Sequence, residues 1–138
     1  MRSLLARSGL DGRVVVESAG TAGYHVGALP DRRARAAAQA RGVDLSSRAR
    51  QFGPDDWARC DYVLAMDQQN FDDLATSAPD PTARAELRLL RAFDAHSPPG
   101  AAVPDPYHGG PEGFEHVLDL CEAACEGLLA HLRREHSL

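Results

Sequence analysis

The sequence predicts an α/β fold of the doubly wound kind, and three observations support that prediction. A β-branched run at residues 13–17 is followed by small residues, which is typical of a buried strand ending at the ligand crevice of a sheet. The apolar run at residues 60–66 leads directly into Asp67 and a helical pattern, a strand-to-helix joint common in such folds. A long amphipathic helical pattern closes the chain.

Length and composition predict one domain with a core of its own. The chain has 138 residues and a formal net charge of -5, and this acidity argues against broad binding to nucleic acid. No apolar run approaches the roughly 20 residues that span a bilayer, and residues 1–7 are interrupted too early for a signal peptide. We therefore expect a cytoplasmic protein without a membrane partner. Its three cysteines fit no disulfide framework.

The first helices are predicted from their stop and start signals. Residues 1–8 read as the end of a helix, with Gly9 as its C-terminal stop. Asp31 is predicted to be the N-cap of a helix that runs to about Arg41 and closes at Gly42. An Asp ahead of a helical run is far more often a cap than a catalytic group, so Asp31 is predicted to be structural.

The middle of the chain alternates short elements. Residues 54–57 predict a single helical turn with proline at its first position and the acids Asp55 and Asp56 in its first turn. A helix is predicted at residues 68–75, with Asp67 as its N-cap and a break at Pro79 and Pro81. Residues 86–90 read as a third strand or as a helix end, because periodicity does not separate the two.

A long helix is predicted from about Pro111 to near the end of the chain. Cys121 and Cys125 are four residues apart on its apolar face; they could hold a metal or form a redox pair, but no further ligand accompanies them, and core packing is the favoured reading. No metal site is predicted. His116 and His131 are interpreted as surface residues. The apolar positions that recur at helical spacing are Phe114, Val117, Leu118, Cys121, Cys125, Leu128, Leu129 and Leu132.

The candidate catalytic stretch is the loop at residues 103–110. Asp105 stands between two prolines, which restrict the backbone around it to few conformations. Tyr107 and His108 follow, and two glycines then let the chain turn. A carboxyl group, an aromatic ring and an imidazole on one stiff loop suit protonation of a leaving group beside a flat substrate, although most such stretches are only turns.

Taken together, the motifs resemble the low-molecular-weight protein tyrosine phosphatase family, in that family's order and across the whole chain. The motif around Asp105 is the most specific of them. The matching stretches are VESAGT at 16–21, YHVG at 24–27, PDRRA at 30–34, ARQ at 49–51, DYVLAMD at 61–67 with Asn70, DPYHGG at 105–110 and GFE at 113–115.

The resemblance implies a three-layer α/β/α fold with a small parallel sheet, of the phosphotyrosine phosphatase I type. It implies hydrolysis of phosphotyrosine in proteins, or of small aryl phosphates, through a phosphocysteine intermediate and without a cofactor. By position, Asp105 matches the general acid that protonates the tyrosyl oxygen. Tyr24, Tyr107 and His108 match the substrate-binding wall. Ser18 matches a hydroxyl that braces the phosphate-binding loop, and Asp94 a supporting acid.

One departure from the family pattern is severe. The family's nucleophile is a cysteine followed six residues later by an arginine, and positions six after Cys60, Cys121 and Cys125 hold no arginine. Because Met1 aligns partway along the family's first helix, we expect the first central strand and the phosphate loop to lie upstream. The domain at 1–138 is then incomplete at its N-terminus, inactive as given and poorly stable, and a wrongly chosen start is favoured over a real short product.

Two other functions remain open at this stage. A catalytically dead phosphatase-like protein could keep the Tyr24, Tyr107 and His108 pocket for binding. An arsenate reductase relative would need two further redox cysteines, and Cys121 with Cys125 within a continuous helix is poorly suited to that role because a disulfide there needs backbone movement.

Overall fold

The computed structural model describes residues 1–78, 85–107 and 109–138. The predicted break at Pro79 and Pro81 lies outside the described residues. The helices and strands within them are α1 Arg2–Arg7, α2 Arg32–Ala40, α3 Pro54–Arg59, β1 Tyr62–Ala65, α4 Gln68–Ser77, β2 Glu86–Leu89 and α5 Pro111–His136, with a 3₁₀ turn at Leu90–Phe93.

The sheet of the described structure has two parallel strands, β1 and β2. Their register places Tyr62 opposite Glu86 and Ala65 opposite Leu89. The stretch after residue 85, which sequence left open between strand and helix, is thus a strand that passes directly into the 3₁₀ turn. A parallel pair joined through α4 is the βα crossover that the strand-to-helix joint predicted.

Successive residues of β1 face two different apolar clusters, because side chains alternate along a strand. Tyr62 and Leu64 pack against the cluster built on α5 and the 3₁₀ turn. Val63 and Ala65 belong to the cluster that holds Trp57 and α4. Helices therefore cover both faces of the sheet, and the small parallel sheet in three layers agrees with the predicted α/β class.

Helix α5 and the 3₁₀ turn approach each other closely in the core. Phe93 packs with Ala124 and Leu128, which lie on one face of α5. Gly127 lies between Ala124 and Leu128 on α5. A Cβ added at Gly127 would overlap the carbonyl oxygen of Phe93 and stand 2.7 Å from its carbonyl carbon. Only glycine lets the two backbones meet at this separation.

The prediction of a buried strand at residues 13–17 is wrong. No strand is assigned there in the described part of the chain, and Val15 is 88% exposed. Val14 and Val16 pack against the cluster of Leu5 and neighbouring residues, so one face is covered, but the described structure has no strand hydrogen-bonded beside it. Strand structure depends on such a neighbour, which the β-branched composition alone does not provide.

The capping predictions are confirmed. The Asp31 carboxylate accepts a hydrogen bond from the Arg33 amide, and the Asp67 carboxylate accepts one from the Asn70 amide, each at 2.8 Å. Gly9 and Gly42 both adopt positive φ, where glycine carries no steric penalty. Among the described helices, none has the length and apolarity to cross a membrane.

His131 is not a surface residue, contrary to the sequence interpretation. It is half-buried, and its ring lies against Phe93 with centroids 5.1 Å apart. The Tyr62 hydroxyl lies 3.4 Å from Nε2 of His131 and 2.9 Å from Nε2 of His136. Contacts with Phe93 and with Tyr62 on β1 therefore hold His131 against the core. His116 is exposed, as predicted.

Candidate functional site

The Asp105 loop is attached to the carboxyl end of β1. The Val103 amide donates to the Met66 carbonyl at 2.8 Å, and Arg91 Nη1 donates to the Ala102 carbonyl at 2.7 Å. These two bonds fix the chain just before Asp105 at the edge of the sheet where side chains from different strands converge. Parallel α/β proteins place their ligands at this edge.

Asp105 and Tyr107 are brought together by one hydrogen bond. The Tyr107 amide donates to Asp105 Oδ1 at 3.0 Å, the turn that an Asx side chain makes with the backbone two residues on. The carboxyl group is exposed, and the Tyr107 side chain is 59% exposed. His108 lies outside the described residues, so its predicted place in the site stays a prediction.

Arg33, at the start of α2, contacts the same loop. Its Nη2 donates to the Tyr107 carbonyl at 2.9 Å and to Asp31 Oδ2 at 3.0 Å. The guanidinium also lies over the ring of Tyr107, 5.6 Å from its centroid, and over that of Phe114, 4.8 Å away. Hydrogen bonding with Arg33 lowers the pKa of Asp31, so that carboxylate stays charged.

Ser18 and Tyr24 lie on a loop that pairs with residues 49–52. The Gly20 amide donates to the Arg50 carbonyl, and the Phe52 amide donates to the Gly20 carbonyl, both at 2.8 Å. Ser18 is exposed, and Tyr24 is 81% exposed with its ring against that of His25. The loop thus presents an aromatic ring to solvent on a backbone held by hydrogen bonds.

Four charged side chains form a cluster of ion pairs beside that loop, namely Glu17, Arg50, Asp56 and Arg59. The Asp56 carboxylate, 4% exposed, accepts from Arg50 Nη1 at 2.9 Å, from Arg59, and from the Gly53 amide at 2.8 Å. Arg50 and Arg59 also bind Glu17, at 3.2 and 3.0 Å. Hydrogen bonding to Arg50, then to the Gly53 amide and Arg59, holds the pKa of Asp56 well below its usual range.

Asp94 follows the 3₁₀ turn and uses its carboxylate locally. Its Oδ1 accepts from the His96 amide at 2.9 Å. Within the described chain, no hydrogen bond or ring contact joins Ser18, Tyr24 or Asp94 to Asp105. The structure therefore links Asp105 directly to Tyr107, while Ser18 and Tyr24 lie on a second loop and Asp94 follows the 3₁₀ turn.

Cys60 and Cys121 lack the surroundings of a nucleophile. Burial raises the pKa of Cys60 and of Cys121, whereas a reactive cysteine needs a lowered pKa near cationic groups or a helix N-terminus. All three cysteines are unpaired thiols. Within residues 1–78, 85–107 and 109–138, no group of three acidic, histidine or cysteine side chains could hold a metal ion.

Sequence reasoning missed Arg33 and Asp56. Arg33 reaches a residue 74 positions away, and no local pattern announces such a contact. Asp56 was interpreted only as a first-turn acid of α3. The available signal was an Asp three positions after Gly53, with arginines at 50 and 59. Such spacing is compatible with a role in capping and in ion pairs, but it does not single that role out.

Comparison with known proteins places this geometry among tyrosine phosphatases. Residues 1–138 match the model of the family described as low molecular weight phosphotyrosine protein phosphatase. The low molecular weight protein-tyrosine-phosphatase of Streptomyces coelicolor is 40% identical over 135 residues, which cover 97% of this chain and 82% of that protein. The human low molecular weight phosphotyrosine protein phosphatase is 35% identical over 115 residues, 83% of this chain and 72% of that protein.

Solved structures agree with the fold. A protein tyrosine phosphatase from Entamoeba histolytica, crystallised with Hepes in its active site, superposes with a TM-score of 0.89 at 31% identity, covering 99% of this chain and 86% of that one. A Drosophila arginine phosphatase superposes with a TM-score of 0.87 at 25% identity, covering 96% of this chain and 85% of that one.

Proposed function

The chain belongs to the low molecular weight phosphotyrosine protein phosphatase family, and we propose that its site serves hydrolysis of phosphotyrosine in proteins or of small aryl phosphates. Asp105 is the proposed general acid. The observation that carries this proposal is the exposed Asp105 carboxyl on a loop tied to the carboxyl end of β1. No cofactor enters the proposed reaction.

A positioned acid matters because of the leaving group. A tyrosyl oxygen leaves as a phenolate whose conjugate acid has a pKa of about 10, so it departs slowly at neutral pH unless it is protonated. A general acid at the right place contributes about 10²- to 10⁴-fold. Asp105 would give its proton to that oxygen, and as a carboxylate it would then take a proton from the water that releases phosphate.

The flat substrate is proposed to lie between the exposed rings of Tyr24 and Tyr107, with His108 beside them. Both tyrosine rings are largely exposed, and exposed aromatic faces stack on other aromatic rings at small entropic cost. Ser18 and Asp94 keep supporting roles in this proposal. Ser18 would brace the loop that holds phosphate, and Asp94 would stiffen the turn beyond Phe93.

We propose that the nucleophile of the reaction lies outside these 138 residues. No cysteine in them has an arginine six positions later, and burial raises the pKa of Cys60 and Cys121. We propose that turnover needs the family's phosphate-binding loop, with its cysteine and arginine, joined to this chain. By themselves these residues are expected to be inactive.

The test compares the chain alone with a fusion in which a family segment carrying that loop precedes residue 1. We expect the fusion, but not the chain, to hydrolyse a phosphotyrosine peptide and a series of aryl phosphates. Asp105→Asn should lower kcat by about 10²- to 10⁴-fold for the poorest leaving groups and by less for good ones. A D105N fusion that is unimpaired across the series would remove Asp105 from the mechanism.

A binding function without turnover is the second candidate, favoured by the missing cysteine–arginine pair. It predicts that the 138-residue chain itself binds a phosphotyrosine peptide, measured by calorimetry against the unphosphorylated peptide. Phosphoarginine belongs in the same assays because a similar solved structure is an arginine phosphatase. Arsenate reduction is disfavoured, since Cys121 and Cys125 lie within the continuous helix α5 and burial raises the pKa of Cys121.

A further inference from the structure

We infer that Arg33 is a positioning residue for the proposed general acid, which it holds in place through Tyr107. The inference rests on the proposed function. Arg33 belongs to α2, whereas Asp105 and Tyr107 belong to the loop before α5. A single guanidinium thus joins the loop to a helix that is far from it in sequence.

Two contacts join the guanidinium to the loop, and a third joins it to α5. Arg33 Nη2 donates to the Tyr107 carbonyl at 2.9 Å, and the guanidinium covers the Tyr107 ring. The guanidinium also lies over the ring of Phe114, which is buried in the first turns of α5. A cation in contact with two aromatic rings and a carbonyl has several favourable interactions that hold it in place.

Asp31 fixes the orientation of the guanidinium. Its Oδ1 accepts from Arg33 Nε at 3.2 Å and its Oδ2 from Arg33 Nη2 at 3.0 Å. This is the two-pronged pairing that matches the planar fork of arginine to a carboxylate. Because the same carboxylate caps α2 through the Arg33 amide, the side chain of Arg33 is set by the start of the helix itself.

The Tyr107 residue transmits this constraint to the acid. Its carbonyl is held by Arg33, and its amide is bonded to Asp105 Oδ1. The residues after it include Gly109 and Gly110, which restrict the chain least. On the same side of the loop, the Gly109 amide donates to the Pro106 carbonyl at 2.9 Å and closes a turn.

Lysine is not an equivalent replacement. An ammonium group is a compact point charge and does not offer the planar fork that meets Asp31, the Tyr107 carbonyl and two ring faces at once. Arg33→Lys is therefore expected to fall between Arg33→Ala and the wild type. Arg35 provides the matched control: it carries the same charge on the same helix but lines a groove with Val43 and Leu45, and no hydrogen bond, ion pair or ring contact joins it to the described residues of the loop.

The first experiment follows the ring of Tyr107 in the 138-residue chain. With 3-fluorotyrosine incorporated, the three tyrosines give separate ¹⁹F signals that Tyr→Phe variants assign. Arg33→Ala should move the Tyr107 signal toward its position in a free peptide and leave the Tyr62 signal in place, while Arg35→Ala should change neither. An unmoved Tyr107 signal in Arg33→Ala would overturn the inference, whatever the activity of the protein.

The second experiment measures catalysis in the fusion that carries the phosphate-binding loop. Arg33→Ala should lower kcat by about 10- to 100-fold, the size of effect that follows from misplacing a catalytic group by about 1 Å. The loss should grow with the pKa of the leaving phenol, as for Asp105→Asn, and Arg33→Lys should recover part of it. Arg35→Ala should keep the rate of the unchanged fusion.

A role in stability alone would give a different pattern. It would lower the melting temperature of Arg33→Ala and reduce kcat equally for good and poor leaving groups, and that result would overturn the inference. An unchanged fusion that hydrolyses none of the substrates would overturn the proposed function, and with it the catalytic part of this inference. The ¹⁹F result separates the two cases, because it reports the contact between Arg33 and Tyr107 without any turnover.

Discussion

Gly127→Ala sets two effects of opposite sign against each other. Alanine is the better residue in the middle of a helix, by about 1 kcal/mol, and Gly127 lies well inside α5. The added Cβ, however, would overlap the Phe93 carbonyl oxygen and stand 2.7 Å from its carbon. Carbon atoms in contact prefer about 3.5–4.0 Å, so α5 and the 3₁₀ turn would have to separate by roughly 1 Å.

The steric clash is expected to destabilise the protein by more than the gain in helix propensity stabilises it. Overpacking a core costs about 1–3 kcal/mol, and the upper end applies here because both opposing groups are backbone and neither can rotate away. The separation would also loosen Phe93 against Ala124 and Leu128, which pack across the same contact. Subtracting the gain in helix propensity leaves a net loss of about 2 kcal/mol. In a domain of this size the melting temperature should fall by roughly 8 °C.

The assay is thermal and urea unfolding followed by far-UV circular dichroism, with Gly113→Ala as the control. Gly113 belongs to the same helix, and a Cβ there would lie 3.4 Å from Pro106 Cβ and 3.9 Å from Pro106 Cα, both ordinary contacts. Gly113→Ala should therefore be neutral or slightly stabilising. If Gly127→Ala proved as stable as Gly113→Ala, the close approach of α5 to the 3₁₀ turn would be refuted.

Three further substitutions test other contacts. Asp56→Asn should cost about 2 kcal/mol near neutral pH, because it weakens the charge-assisted hydrogen bonds that the buried carboxylate accepts from the partly exposed Arg50 and Arg59. The pKa of Asp56 is lowered on folding, so its contribution is complete above the unfolded pKa of about 3.9 and is lost as pH falls through the folded value. Urea unfolding should thus show the gap between wild type and variant narrowing below about pH 4; a constant gap would contradict this. Asp67→Ala should cost about 1 kcal/mol through loss of the α4 cap, with a lowered urea midpoint. Tyr62→Phe should cost about 1 kcal/mol, because it removes the hydroxyl beside His131 and His136; equal unfolding midpoints would argue against that hydrogen bond.

Local signals in the sequence were sufficient to predict where the helices begin. Asp31 and Asp67 cap their helices as predicted, since a cap involves only residues within one turn of it. The same holds for the turn between Asp105 and Tyr107, which two prolines and an Asx side chain prepare locally.

Features that depend on distant partners were not predictable. Residues 13–17 have strand composition, yet whether they form a strand depends on a neighbour that composition does not reveal. His131 was taken for a surface residue because its partner, Tyr62, is on β1. Arg33 was one arginine among fifteen basic residues, and only the fold shows that it meets Tyr107.

The ion pairs at the C-terminal end of α2 make the contact between α2 and α5 sensitive to salt. Arg41, next to the end of that helix, binds Glu115, Asp119 and Glu122 along one side of α5. All three carboxylates are at least half exposed, so dissolved ions compete with their attraction to the arginine. Because α2 also carries Arg33, we expect added salt to weaken the attachment of α2 to α5 and, with it, the contact between Arg33 and the loop at residues 103–110.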